Sequence, residues 1–112
     1  MSAISGLLGL SCRAGQITLG AEMALQEIRA GRAGAVLLDA GASAGTQKKI
    51  TDACVYRNVP VHMLPEGEIS RACGREGRMA AAVKPGKLCR QILLLLSSSG
   101  EPDEIKPENA KQ

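Results

Sequence analysis

The 112-residue chain is long enough for one hydrophobic core and too short for two, because a second core of useful size would need roughly another 50 residues. Apolar residues make up 45% of it, yet Tyr56 is the only aromatic, so the core is expected to be filled by Leu, Ile, Val, Ala, Met and Cys. The formal charge of +3 is unevenly spread: residues 1–96 hold 12 Lys or Arg against 7 Asp or Glu, a charge of +5, while residues 97–112 carry −2. A basic folded part suits a polyanionic partner.

In chain order, helical periodicity alternates with short β-rich runs, the pattern of an α/β protein. A first helix is expected over about Ser2 to Arg13, with Ile4, Leu7, Leu8 and Cys12 on one stripe and Gly15 as its stop. Gln16 to Leu19 reads as a short extended piece. Gly20 opens a second helix to about Ala30, in which Ala21, Ala24, Leu25 and Ile28 share a face.

Ala33 to Leu38 is a continuous apolar run and reads as a central buried strand. A third helix follows from about Gly45 to Arg57, with Ile50, Ala53 and Cys54 inward and Asn58 closing it. Val59 to Leu64 is the next strand, placed at an edge or a strand start by Pro60. A fourth helix begins at Pro65 and stops at Gly74. Met79 to Val83 forms the last strand, and Lys84 to Leu96 a fifth helix with Cys89, Ile92, Leu93 and Leu96 on one side. The polar segment 97–112 contains one large apolar residue, Ile105, and is expected to be a disordered tail.

Several function classes are disfavoured. The apolar stretch Ile4 to Leu10 is broken by Ser5, Gly6 and Gly9 and lacks a basic segment before it, so it does not read as a signal peptide. The longest apolar run, Ile92 to Leu96, is far short of the ~20 residues of a bilayer helix. Cys12, Cys54, Cys73 and Cys89 include no C-x-x-C pair, so neither a zinc site nor a secreted disulfide scaffold is indicated. Each instead falls on the inward stripe of a different helix, where a free thiol packs as a small hydrophobe. His62 stands alone and reads as a packed or surface residue. Without a G-x-S-x-G elbow or a nucleophile near His62, catalysis is not expected.

Two glycine loops precede helices, and such helix starts can present backbone N–H groups and a positive dipole end to an anion. One is Gly15 to Glu22, where Gly20 allows close approach. The other, Asp39 to Lys49, fails the spacing of a phosphate-binding loop, with three residues between Gly41 and Gly45 and Thr46-Gln47 after them. A helix entry capped by Ser43 or Thr46 accounts for the same residues. The loop Gly74 to Arg78 adds two guanidiniums suited to a bent phosphate backbone, if the fold brings it beside Gly20.

The ordered motifs Leu7-Leu8-Gly9-Leu10, Arg13-Ala14-Gly15, Gly20-x-Glu22, Glu27-Ile28-Arg29, Ala35-Val36-Leu37-Leu38, Ala42-Ser43, Thr46-x-Lys48-Lys49-Ile50-Thr51-Asp52-x-Cys54, Asn58-Val59-Pro60 and Gly74-Arg75-Glu76 span about residues 4–96. Together they resemble the bacterial YlxQ branch of the kink-turn-binding ribosomal proteins, relatives of the archaeal large-subunit protein L-seven-Ae. The resemblance implies a three-layer α/β/α sandwich of about five helices on an approximately four-stranded mixed sheet. It also implies a domain over residues 1–96 that binds kink-turn RNA, ribosomal RNA included, in the cytoplasm. No cofactor, metal, membrane or small-molecule substrate is expected, and the chain is expected to be monomeric.

In that family a Gly-x-Asn-Glu-x-x-Lys pattern at the start of the second helix reads guanine edges, and the loop before the last strand covers a flipped-out nucleotide. Carried over, Gly20 matches the glycine and Glu22 takes the Asn position as an acceptor. Met23 stands where the family has Glu and Gln26 where it has Lys, each a loss of ~1 to 3 kcal/mol if the replaced contact was a good base-edge pair. The expected RNA-binding residues are Gly20, Ala21, Glu22, Gln26, Arg13, Arg29, Arg75 and Arg78. An exposed Met23 beside Leu19 also leaves open a protein-interaction scaffold of the same fold.

Overall fold

The computed structural model describes residues 3–98 and 104–105. Along the chain run α1 (Ala3–Arg13), β1 (Ile17–Leu19), α2 (Ala21–Arg29), β2 (Ala35–Asp39), α3 (Ala44–Arg57), β3 (Val61–Leu64), α4 (Glu68–Cys73), β4 (Ala80–Val83), α5 (Lys87–Ser98) and β5 (Glu104–Ile105). The strand order is β1-β4-β2-β3-β5. β2 and β3 are parallel, joined by the α3 crossover, and the other pairs are antiparallel.

The continuous apolar run lies where a strand covered on both faces belongs: every residue of β2 is buried, and it is the middle strand. Successive side chains point to opposite faces of a sheet, so β2 feeds two cores. Val36 and Leu38 meet Ala24, Leu25 and Ile28 of α2 and Ile50 and Cys54 of α3. Ala35 and Leu37 meet Leu8 of α1, Ile69 of α4 and Cys89, Ile92 and Leu96 of α5. The result is the expected α/β/α sandwich, with α2 and α3 on one face and α1, α4 and α5 on the other. Each large aliphatic side chain it buries contributes about 1.5–3 kcal/mol of transfer free energy.

Chain reversals fall at the residues expected to stop helices. Asn58 takes a left-handed conformation (φ 60°) with its N–H donated to the Cys54 and Val55 carbonyls, and Gly74 caps α4 in the same region (φ 68°). His62 is buried in β3, as a packed histidine would be. Of the segment expected to be a disordered tail, Ser97 and Ser98 continue α5, and Glu104–Ile105 pairs antiparallel with β3, Ile105 opposite Val61. The rest of that segment lies outside the described residues.

One expectation is corrected. Cys54 and Cys89 are buried free thiols, but Cys12 and Cys73 form a disulfide with their Cα atoms 5.9 Å apart. Helices α1 and α4 pack together, and each cysteine sits at or near its helix's last turn, so two residues 61 positions apart in sequence meet side by side. Burial pushes the Cys54 thiol up to about 12, so it stays protonated. Among the described residues no helix is long and apolar enough to cross a membrane, and no group of three or more His, Cys, Asp or Glu could hold a metal ion.

Candidate functional site

The two glycine loops have different fates. At the start of α3, Ser43 is the N-cap: its hydroxyl oxygen accepts from the Thr46 N–H at 3.1 Å, and Gln47 Nε2 donates to the Ala42 carbonyl at 2.9 Å. That loop is closed on itself. Asp39, fully buried, locks it further by accepting from the Gly41 N–H at 2.6 Å and from the Gly67 N–H at 2.8 Å, tying the loop after β2 to the one before α4. These contacts support the capped helix entry rather than an anion cradle.

At the start of α2 no side chain caps the helix. Gly20 holds φ 103° and ψ 141°, a conformation open essentially to glycine alone, while its own N–H donates to the Ala80 carbonyl at 2.8 Å. The bend fastens the helix start to the first residue of β4 and leaves the first-turn amides without a side-chain acceptor. A Cβ at Gly20 would lie 3.8 Å from Arg78 Nη1, so this guanidinium sits directly beside the helix start.

The Gly74–Arg78 loop is tied to α4 at Ser70. The Ser70 carbonyl accepts from the backbone N–H groups of Gly74 and Arg75, and its hydroxyl accepts from the Arg78 N–H at 3.0 Å. One residue of α4 therefore sets the position of both arginines. Across from them, the carboxyl end of α1 brings Arg13. Arg13, Arg75 and Arg78 converge on a hollow of about 510 Å³ whose other walls include Thr18, Leu19, Met23 and the Cys12–Cys73 disulfide. Arg78 Nε is itself covered by the protein and has no hydrogen-bond partner among the described residues.

The eight expected residues thus divide. Arg13, Arg75 and Arg78 come together beside Gly20, with Ala21 and Glu22 in the adjoining first turn. Gln26 is exposed one turn further along α2. Arg29 is not brought to this hollow; it lies at the far end of α2, about 12 Å along the axis at 1.5 Å per residue, where its carbonyl accepts from Arg57 Nη2. Arg32 is held by Glu27, with Nε–O and Nη2–O distances of 3.1 and 2.9 Å, and the guanidinium keeps that carboxyl below the usual range.

No residue pattern marks Ser70 or the disulfide in the hollow's wall. A serine four residues before a left-handed Gly74 is a weak signal, and the cysteines meet only through the helix crossing. Met23 is 48% exposed and shares the hollow with Leu19, so its apolar surface faces any ligand there.

Comparisons with known proteins bear on this arrangement. A family model described as the Ribosomal protein L7Ae/L30e/S12e/Gadd45 family matches residues 2–92. Over 91 residues the chain is 37% identical to the RNA-binding protein YlxQ of Bacillus subtilis, covering 80% of this chain and 91% of that protein. The RNA-binding protein YlxQ of Enterococcus faecium is 33% identical over 81 residues, 71% of this chain and 79% of that protein. Among solved structures, a Bacillus halodurans protein of unknown function superposes with a TM-score of 0.82 at 28% identity, over 87% of this chain and 99% of that one. The Giardia lamblia 15.5kD RNA binding protein shares the fold, with a TM-score of 0.68 at 19% identity over 86% and 82% of the two chains.

Proposed function

The chain belongs to the Ribosomal protein L7Ae/L30e/S12e/Gadd45 family, and from that premise we propose that it is a non-catalytic RNA-binding protein whose target is a kink-turn or similarly bent structured RNA. RNA binding is the activity named for the Bacillus subtilis and Enterococcus faecium YlxQ proteins. The observation that carries the reading onto this chain's own residues is the convergence of Arg13, Arg75 and Arg78 on one hollow beside an uncapped helix start. The lining of that hollow holds three guanidiniums and no acidic side chain, an arrangement suited to phosphate oxygens.

In this reading the RNA backbone bends around the Gly20 edge. Arg13, Arg75 and Arg78 hold phosphates, which fixes register without reading sequence. The first-turn amides of α2 add a positive dipole end, and Glu22 accepts from guanine N–H groups in the opened groove. Gln26 donates to a base acceptor without charge assistance, and Met23 lies against base or sugar. The protein acts as a monomer in the cytoplasm, in association with ribosomal or other folded RNA, and needs no cofactor.

Titration with a kink-turn RNA and with a straight duplex of equal length tests the proposal. Tighter binding of the kinked RNA is expected, and equal affinity for both would remove the specific claim. Exposed Met23, beside half-buried Leu19 in the same hollow, favours one second reading, a protein-interaction scaffold of the same fold. A complex captured by pull-down that survives nuclease treatment would support that reading instead.

A further inference from the structure

The chain's only aromatic residue is not in the core. Tyr56 is 84% exposed near the carboxyl end of α3, on a surface separate from the hollow beside Gly20. An aromatic ring this exposed leaves a face on which a planar group can stack. Its surroundings indicate which kind. Arg57 sets its guanidinium carbon 5.9 Å from the ring centroid, and Arg57 Nη2 donates to the Arg29 carbonyl, one of the orphan acceptors at the end of α2. Arg29 and Lys49 line the same shallow hollow as Tyr56 and Arg57. The acid present, Asp52, is engaged by Lys48 at 3.0 Å, which leaves Arg29, Lys49 and Arg57 in excess.

We infer that this surface is a second RNA contact, at which an unpaired nucleobase stacks on Tyr56 while Arg29, Lys49 and Arg57 hold the phosphates on either side of it. The combination of an exposed ring with cations grouped around it is that of single-strand binding sites, where every base offers a π-face and the backbone supplies the charge. A protein partner would be expected to cover the ring with apolar or acidic surface, and three cations flanking one aromatic fit a polyanion better. The inference extends the RNA-binding reading of the Gly20 edge, since both surfaces would then serve one RNA whose single-stranded flank runs on from the bent duplex. It rests on different residues, and the two can fail separately.

The chain contains one Tyr and no Trp, so its intrinsic fluorescence reports on this position alone. Titrating the full chain with a short oligoadenylate should quench that emission saturably. Binding of the same labelled oligonucleotide, followed by anisotropy, should weaken roughly 5- to 150-fold in Tyr56→Ala and be largely kept in Tyr56→Phe, the span of a single base stack. Quenching should persist in Arg78→Ala, which disables the first surface, and kink-turn affinity without a flank should be unchanged in Tyr56→Ala. An absence of quenching, or equal oligonucleotide affinity in wild type and Tyr56→Ala, would overturn the second contact while leaving the first to stand on its own titration.

Discussion

Opening the Cys12–Cys73 bond should destabilise the protein by about 2–4 kcal/mol. The bond joins residues 61 positions apart, and the chain-entropy treatment of a loop that long gives about 4 kcal/mol at 25 °C, with many measured cross-links delivering less. The assay is guanidinium unfolding of the full chain with and without a reductant, beside the double variant Cys12→Ser/Cys73→Ser. With a slope of about 3 kcal/mol per molar, the midpoint should fall by roughly 1 M on reduction, and the double variant should match the reduced wild type. Thiol counting fixes the starting state: the oxidised protein should show two thiols on unfolding, Cys54 and Cys89. Coincident midpoints for oxidised and reduced protein, with two thiols counted in the former, would refute the reasoning. In a reducing compartment the pair would stand as two thiols.

Three further outcomes follow from single groups. Asp39→Ala strands the Gly41 and Gly67 N–H groups and should cost about 2–5 kcal/mol in denaturant unfolding, with Asp39→Asn recovering part because it keeps one acceptor oxygen. Cys54 is raised from 9.0 to about 12 by burial, so the native state holds its proton after the unfolded state has lost it. Its contribution is complete below pH 9 and is lost as pH rises from 9 to about 12, by up to about 1.4 kcal/mol per pH unit, and Cys54→Ala should remove that slope from stability measured across this window. Ser70→Ala frees the Arg78 backbone N–H from its acceptor, and should lower stability by about 1 kcal/mol in unfolding and weaken RNA binding in titration by loosening the Arg75–Arg78 loop.

The parts of the fold legible in the sequence are those with a periodic or punctuating signal. The run through Val36, Leu37 and Leu38 announced a strand covered on both faces, the apolar stripes of α2 and α5 announced their buried sides, and Asn58 and Gly74 marked real left-handed ends. The parts that were not legible depend on how elements cross. Cys12 and Cys73 each looked like one more apolar position on a helix, and only the packing of α1 against α4 makes them partners. Arg29 belongs to the helix that Gly20 opens, but two helical turns of α2 carry it to the other end, where its carbonyl accepts from Arg57. The two-residue β5 has no period to read. Asp39 looked like a strand-ending turn residue, and its second acceptor role comes from Gly67, 28 residues on.

The salt dependence of RNA affinity in wild type and Arg78→Ala puts the Gly20 edge to the most direct test. If Arg13, Arg75 and Arg78 each neutralise a phosphate, log Kd against log salt should have a slope of magnitude about 2–3 for a kink-turn RNA, and removing Arg78 should reduce that magnitude by about 0.7–0.9. An unchanged slope and affinity in Arg78→Ala would contradict the placement of the phosphate backbone against the helix start.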